Sequence, residues 1–569
     1  MRATRRRGGL TVRAIAGTHT VLLAMDLHDP TGCLGFAIKR TEILPQGQGE
    51  SVWLKGMKTF GSVESTPPPG SQWPTNAHPI QGFQWGDYGA VPGRTYVYAV
   101  SPVTGTPAVP TLAGTVEVKV TTEVEDDGVH GVWFNRGVAG SQAFARRFAG
   151  WVPTKVPDED HPAMRWLSRG LREAFEAFCA QATGPEWGLL GAFYEFTWST
   201  GLLALKAAAD RGADVRLVIH GRDSDAAGKD EDTTAASARA QVSALGLDPL
   251  VTWRVAPNKG ALQHNKFLVL TKKGRPVAVW TGSTNLTLGA VYGHSNVAHV
   301  VRDRAAAVAF TAYWERLASP ATTAALRVSD ESANPVSTTV PPGAGISVIT
   351  SPRASRAVLD WYADVFDSGV SSTHITGAFG LNTVFRDRLA VNRAPVTRTV
   401  LLDKTPARAQ DRIPLADSHV RLSTGAHLRE GALSQWAAER LTGFNGHVRY
   451  VHTKIILVDP LGDDPVVVTG SANYSDASTT SNEENTLVIR RGTTRATSRR
   501  AVERVADIYL TEYHRIFMHF PFRAWAQSRE VNTGAPQPVS HLEETDHWSQ
   551  RYFVPGSWRE SQRRLFAGT

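Results

Sequence analysis

The chain has 569 residues, which at roughly 150 per domain implies three to four domains. Hydrophobic residues make up 42% and charged residues 20%, with 61 Lys+Arg against 53 Asp+Glu for a net charge of +8. This composition excludes a disordered chain, a collagen-like fibre and a disulfide-stapled miniprotein; the two cysteines, Cys33 and Cys179, allow at most one bridge and no Cys-rich metal cage.

No uninterrupted apolar stretch approaches the roughly 20 residues that a bilayer crossing needs. Arg2, Arg5, Arg6 and Arg7 resemble the start of an export signal, but the following segment is interrupted by Arg13 and His19 and shows no cleavage pattern, so a cytoplasmic location is expected. The mild basic excess suits an anionic partner and suits plain solubility equally.

Residues 1–125 read as an all-β unit. Short alternating runs at Thr18–Leu27, Gly35–Lys39, Ser51–Lys55, Thr95–Val100 and Thr115–Val120 are separated by turn residues. The stretch Val91-Pro92-Gly93 followed by Tyr96 and Tyr98 resembles the corner and tyrosine-bearing strand of fibronectin type III-like sandwiches. Its role is open between a binding module and a structural spacer.

From about Trp151 the pattern turns to alternating helices and strands. Met164, Trp166, Leu167, Leu171, Phe175, Phe178 and Cys179 recur at helical spacing, which predicts one amphipathic helix with Cys179 as a core thiol. A strand at Leu189–Phe196, a helix ending near Gly212 and a strand at Val215–Ile219 follow, and the acidic run Arg222–Thr234 reads as a surface loop. Residues 150–327 form a first α/β unit, and 328–345 have a linker's composition. Residues 346–530 form a second unit, and 531–569 an aromatic, Arg-bearing tail that either lines the site or docks on a lobe.

The two α/β units repeat one another. Gly191-Ala192-Phe193 recurs as Gly377-Ala378-Phe379, an offset of 186. His264-Asn265-Lys266 recurs as His452-Thr453-Lys454, and Gly282-Ser283-Thr284-Asn285 as Gly470-Ser471-Ala472-Asn473, both at an offset of 188. Three landmarks at nearly one spacing mark an internal duplication.

Each copy sets His and Lys two residues apart in an apolar run, which on a strand puts both on one face. A nearby ammonium favours the neutral, nucleophilic imidazole, and it can also pair with a phosphate oxygen. The Gly-Ser-x-Asn turn adds a hydroxyl, an amide and backbone N–H groups as donors to an anionic oxygen. Each piece alone is commonplace; the pair in the same order, twice, is not.

H-x-K-x4-D followed by G-S-x-N, present twice in one chain, resembles the phospholipase D superfamily over roughly residues 160–520. His452, Lys454, Asp459, Gly470, Ser471 and Asn473 match the pattern in full. The first copy matches at His264, Lys266, Gly282, Ser283 and Asn285 but has Thr271 where the family usually has Asp.

The resemblance implies a pseudo-twofold pair of lobes, each a mixed sheet flanked by helices, behind the N-terminal all-β sandwich, with one shared site per chain. It also implies metal-free phosphodiester cleavage with no cofactor: one His attacks phosphorus to form a phosphohistidine, the other protonates the leaving oxygen, and water or an alcohol completes the reaction. His264, Lys266, Asn285, His452, Lys454 and Asn473 are the expected catalytic set, supported by Ser283, Ser471, Asp459 and Glu484. Glu484, thirty-two residues past His452, is the expected carboxylate for that imidazole, whereas the corresponding His294-Ser295-Asn296 has none. Orientation therefore favours His452 as nucleophile and the family pattern favours the first copy, which leaves the choice open. The expected partner is an anionic phosphodiester, a phospholipid surface ahead of nucleic acid; a nuclease and a non-catalytic scaffold are the alternatives.

Overall fold

The computed structural model describes residues 1–569 apart from 69–70, 138–141, 149–150, 152–153, 155–156, 223–232, 256–260, 337–338, 426–449 and 521–540. Most of the acidic run Arg222–Thr234 therefore lies outside the described residues.

The N-terminal part is two antiparallel sheets face to face. One sheet is ordered Arg2–Arg7, Leu10–Ala16, Val21–Leu27 and Gln84–Asp87. In the other, Val109–Leu112 and Val116–Thr121 both pair with the long strand Thr95–Thr106, followed by Gly35–Leu44 and Gly47–Trp53. The arginine-rich start is thus an edge strand: Gly8 and Gly9 both take positive φ (55° and 80°), the turn geometry that joins it to Leu10–Ala16. Leu10, Val12, Ala14, Phe36, Ile38, Tyr98 and Val118 fill the space between the sheets. Tyr96 closes the predicted corner by accepting the Val91 N–H at 3.1 Å.

The predicted helix around 164–179 is two helices, Pro162–Ser168 and Leu171–Ala180. Arg169 and Gly170 between them take φ of 49° and 83°. The break lets the buried Arg169 guanidinium reach the Phe134 carbonyl and Glu512. Cys179 is fully buried, and burial pushes its thiol up.

Each lobe holds a seven-stranded mixed sheet, and the two sheets share one strand order. The first runs His130–Phe134, Val297–Val301, Arg275–Gly282, Lys266–Lys272, Trp187–Phe193, Asp214–His220 and Val251–Arg254. The second runs Gly345–Ser351, Glu484–Arg490, Val466–Gly470, Ile455–Val458, Ser372–Gly377, Thr397–Leu402 and Val420–Thr424. In each, the last three strands are parallel and the rest antiparallel. The edge strand His130–Phe134 lies ahead of the stretch where the α/β pattern begins in the sequence. The helix Thr323–Ala333 runs into the stretch 328–345 that reads as a linker, because Leu326 and Asp330 are buried and Asp330 pairs with Arg316.

The ladder also corrects one landmark of the repeat. Gly191 lies opposite Leu268 and Ile375 opposite Ile456, so these two strands stand 184 residues apart while their partners stand 188 apart. Phe193 is consequently core, whereas Phe379 falls beyond its strand and is 58% exposed.

The long helix Arg499–Phe517 binds the parts together. Val502, Val505, Ile508, Tyr509 and Tyr513 share one apolar cluster with Ile15 and Leu22 of the sandwich, Phe134 and Val301 of the first lobe, and Leu457 and Val467 of the second. The C-terminal tail docks rather than lining the site: Trp548 stacks on Phe83 inside the sandwich core, and Phe566 packs edge-on to His514.

Candidate active site

The two motifs meet where the lobes exchange backbone pairing. Gln263 bridges to Glu483 and Ser295 to Val451, both in parallel. The His264 N–H donates to the Glu483 carbonyl at 2.9 Å and the His452 N–H to the Ser295 carbonyl at 3.0 Å. This corrects the expectation that each His and Lys sit together inside a strand. The regular ladders start at Lys266 and Ile455, and each His lies in the approach segment held by the opposite lobe.

The side chains follow the same exchange. His264 Nδ1 lies 2.8 Å from Glu484 Oε2, and His452 Nδ1 lies 2.9 Å from Asn296 Oδ1. Glu484 therefore serves the first-lobe imidazole and not His452. Asn296 stands 188 residues before Glu484, at the same place in its own lobe. Because Glu484 and the Asn296 carbonyl oxygen only accept, both imidazoles carry hydrogen on Nδ1 and leave the Nε2 lone pair free.

His264 and His452 are 6% and 4% exposed. Burial pushes His264 down to about 4, with Glu484 pulling the other way and Lys266 adding to the fall. His452 lies well below the ordinary histidine range through burial, then Lys454 and His294, and its Nδ1 partner is an amide rather than a carboxylate. Lys266 and Lys454 each curl back so that Nζ donates to the backbone carbonyl of their own His, at 2.5 and 2.6 Å. Burial lowers Lys266 to about 7 and takes Lys454 well below its usual range, Lys266 adding to the latter. Lysines held this far from water and this close together gain most when an anion arrives between them.

Ser283 donates to Asn296 Oδ1 at 2.8 Å and accepts the Val297 N–H at 3.1 Å. Ser471 takes the same position against Asn485, accepting its N–H at 3.0 Å. Both serines brace the opposite strand end rather than face the opening. Asn285 donates to Glu195, and its own side-chain oxygen is buried without a protein partner, as is that of Asn473. Asp459 is remote from this chemistry: it accepts the N–H groups of Val370, Ser371 and Ser372 and the Ser371 hydroxyl, fixing the start of strand Ser372–Gly377. Thr271 sits within its strand opposite Gly188.

Besides His294, four residues outside the expected set line the site. Tyr194 packs on His264 at 5.0 Å between ring centroids and lies under Lys266 Nζ at 5.3 Å. Phe379 approaches His452 at 6.4 Å. Glu195 holds Asn285, and Asn296 holds His452. Only Asn296 had a signal in the sequence, its 188-residue offset from Glu484. Among the described residues no group of three or more His, Cys, Asp or Glu is placed to hold a metal ion, and no helix is long and apolar enough to cross a membrane.

Residues 189–318 and 383–505 match the family described as "Cardiolipin synthase, PLD-like domain". The chain carries this PLD-like domain in two parts, one in each lobe, which bears out the resemblance to the phospholipase D superfamily read from the two motifs. No curated protein matches it. Solved structures with low-scoring likeness include phosphatidylserine synthase from Haemophilus influenzae Rd KW20, at 10% identity and TM-score 0.41, over 64% of this chain and 92% of that one. Polyphosphate kinase from Porphyromonas gingivalis is 12% identical with TM-score 0.35, over 61% and 52%. The phospholipase D family member Nuc from Salmonella typhimurium is 19% identical with TM-score 0.22, over 31% and 95%.

Proposed function

We propose that this enzyme cleaves or transfers a phosphodiester, with a phospholipid as substrate, through a phosphohistidine on His264. The observation that carries the assignment is the Glu484 carboxylate on His264 Nδ1. As Nε2 attacks phosphorus the ring gains positive charge, and a carboxylate at 2.8 Å stabilises that charge where a neutral amide does much less. His452, held by Asn296, is the partner that protonates the leaving oxygen and then takes a proton from the incoming water or alcohol. Lys266, Lys454, Asn285 and Asn473 hold the non-bridging oxygens. A bound phosphodiester adds negative charge beside His452, which raises its proton affinity and makes the acid role available.

The phospholipid reading is supported by the lipid-synthase description of the matched family and by the exposed Phe379 beside His452. The fibronectin-like reading of the sandwich is supported by its strand order and the Tyr96 corner, and its burial against Arg499–Phe517 favours a scaffold role. The test is a panel of phosphatidylcholine and phosphatidylglycerol vesicles, bis-p-nitrophenyl phosphate, and single-stranded and duplex DNA, each with EDTA. Turnover that persists in EDTA and is lost in both His264→Ala and His452→Ala is expected. Near-normal turnover in either variant overturns the shared site, and cleavage of DNA without cleavage of vesicles overturns the lipid assignment.

A further inference from the structure

A third imidazole stands in the site. His294 packs edge-on against His452 with ring centroids 5.0 Å apart, and only part of it is covered. Asn296 contacts both rings. Its Nδ2 donates to the Ala290 carbonyl at 2.9 Å, which fixes the amide orientation because a carbonyl only accepts. Oδ1 then faces the Ser283 hydroxyl at 2.8 Å and His452 Nδ1 at 2.9 Å. The second Nδ2 hydrogen faces His294 Nδ1 at 3.0 Å. One amide thereby sets opposite tautomers on two adjacent rings. His452 carries hydrogen on Nδ1 and offers an Nε2 lone pair; His294 accepts at Nδ1 and carries its hydrogen on Nε2.

We infer that His294 is a substrate-contacting residue whose neutral Nε2–H donates a hydrogen bond to the leaving-group oxygen on the His452 side of the phosphorus. This rests on the phosphodiesterase reading given above. Among the described residues His294 makes no side-chain hydrogen bond other than that to Asn296. At the matching place in the second lobe, Asn482 spends its side-chain oxygen on the Leu262 N–H at 3.0 Å, so the device exists on one side only. No proton leaves His294, since a neutral imidazole keeps its last hydrogen. As the P–O bond breaks, its electron pair moves onto the leaving oxygen, the Nε2–H bond steadies that charge, and protonated His452 supplies the proton. Such a donor acts most on the oxygen that becomes most basic.

The experiment compares wild type, His294→Phe and His294→Gln on a series of aryl and alkyl phosphodiesters of rising leaving-group basicity. Phe keeps the ring contact without the donor, and Gln restores an N–H near the Nε2 position. The Phe variant is expected to lose less than about 3-fold on p-nitrophenyl esters and about 100-fold on alkyl esters, with Gln recovering most of the loss. A loss equal across the series, or Gln no better than Phe, overturns the assignment. A second readout is the 15N spectrum of the histidine-labelled full chain, assigned with the two variants and His452→Ala. Hydrogen on Nε2 of His294 and on Nδ1 of His452 is expected; hydrogen on Nδ1 of His294 overturns the inference whether or not the enzyme turns over. If wild type cleaves none of the esters, the phosphodiesterase reading fails and the tautomer measurement alone decides what Asn296 does.

Discussion

Glu484→Gln isolates the charge of the carboxylate from its shape. In the native site the Glu484 carboxylate and His264 Nδ1 are 2.8 Å apart and both residues are almost wholly buried. Gln keeps an acceptor oxygen for the Nδ1–H, so the ring keeps its tautomer, but the negative charge that balances the attacking imidazole is gone. A charge-assisted hydrogen bond contributes about 1.5–3 kcal/mol. If that contribution is realised as the phosphoryl–His264 bond forms, kcat/KM falls about 10- to 150-fold. The assay is initial-rate hydrolysis of bis-p-nitrophenyl phosphate, with acid-sensitive phosphopeptides mapped after rapid quenching with a slow substrate. The adduct is expected on the peptide carrying His264. An adduct on His452, or a Gln variant within about threefold of wild type, refutes the reasoning that the carboxylate marks the nucleophile.

Three further outcomes follow from other parts of the molecule. His264 and His514 are both held down to about 4 by burial, against about 6.5 in an unfolded chain. Their folded forms stay neutral while the unfolded chain takes up protons, so stability is lost as pH falls from 6.5 towards 4, by up to about 3 kcal/mol per ring. His514→Phe is expected to flatten the melting-temperature profile over that window, and an unchanged slope contradicts the account. Asp459→Ala removes the acceptor of three backbone N–H groups and is expected to destabilise by about 2 kcal/mol in urea titrations while turnover per folded molecule holds; selective loss of turnover would return Asp459 to the chemistry. Glu512, lowered to about 2 by Arg169 and Arg515 against the pull of burial, also accepts the Thr20 hydroxyl of the sandwich at 3.2 Å, so Glu512→Ala is expected to cost about 3–5 kcal/mol. A two-step unfolding curve with the lobes unaffected would show the sandwich to be independent.

The duplicated His, Lys and Asn positions were legible because the chemistry requires particular residue types at a fixed spacing. The sandwich was legible through its alternation. What the chain order concealed was which lobe each support serves. Glu484 is nearer in sequence to His452 than to His264, and only the crossed pairing of residues 263 with 483 and 295 with 451 hands it across. The apparent Gly-Ala-Phe repeat misled by two residues because small and aromatic side chains recur at strand ends, while the ladder register is set by every residue along it. The break at Arg169 and Gly170 was hidden by an apolar spacing that continues through both helices; its cause is a buried ion pair to a glutamate far along the chain.

The crossed supports bear on how such a chain can diverge after duplication. Two identical half-molecules meeting about a twofold axis would give each histidine the same partner and leave the attacking and donating roles interchangeable. Here one difference between the two supports, amide in one half and carboxylate in the other, breaks that equivalence, and each half carries the residue that supports the other's histidine. Neither half can then be exchanged for a second copy of its neighbour without producing two like imidazoles, so the asymmetry is inherited only by the fused pair.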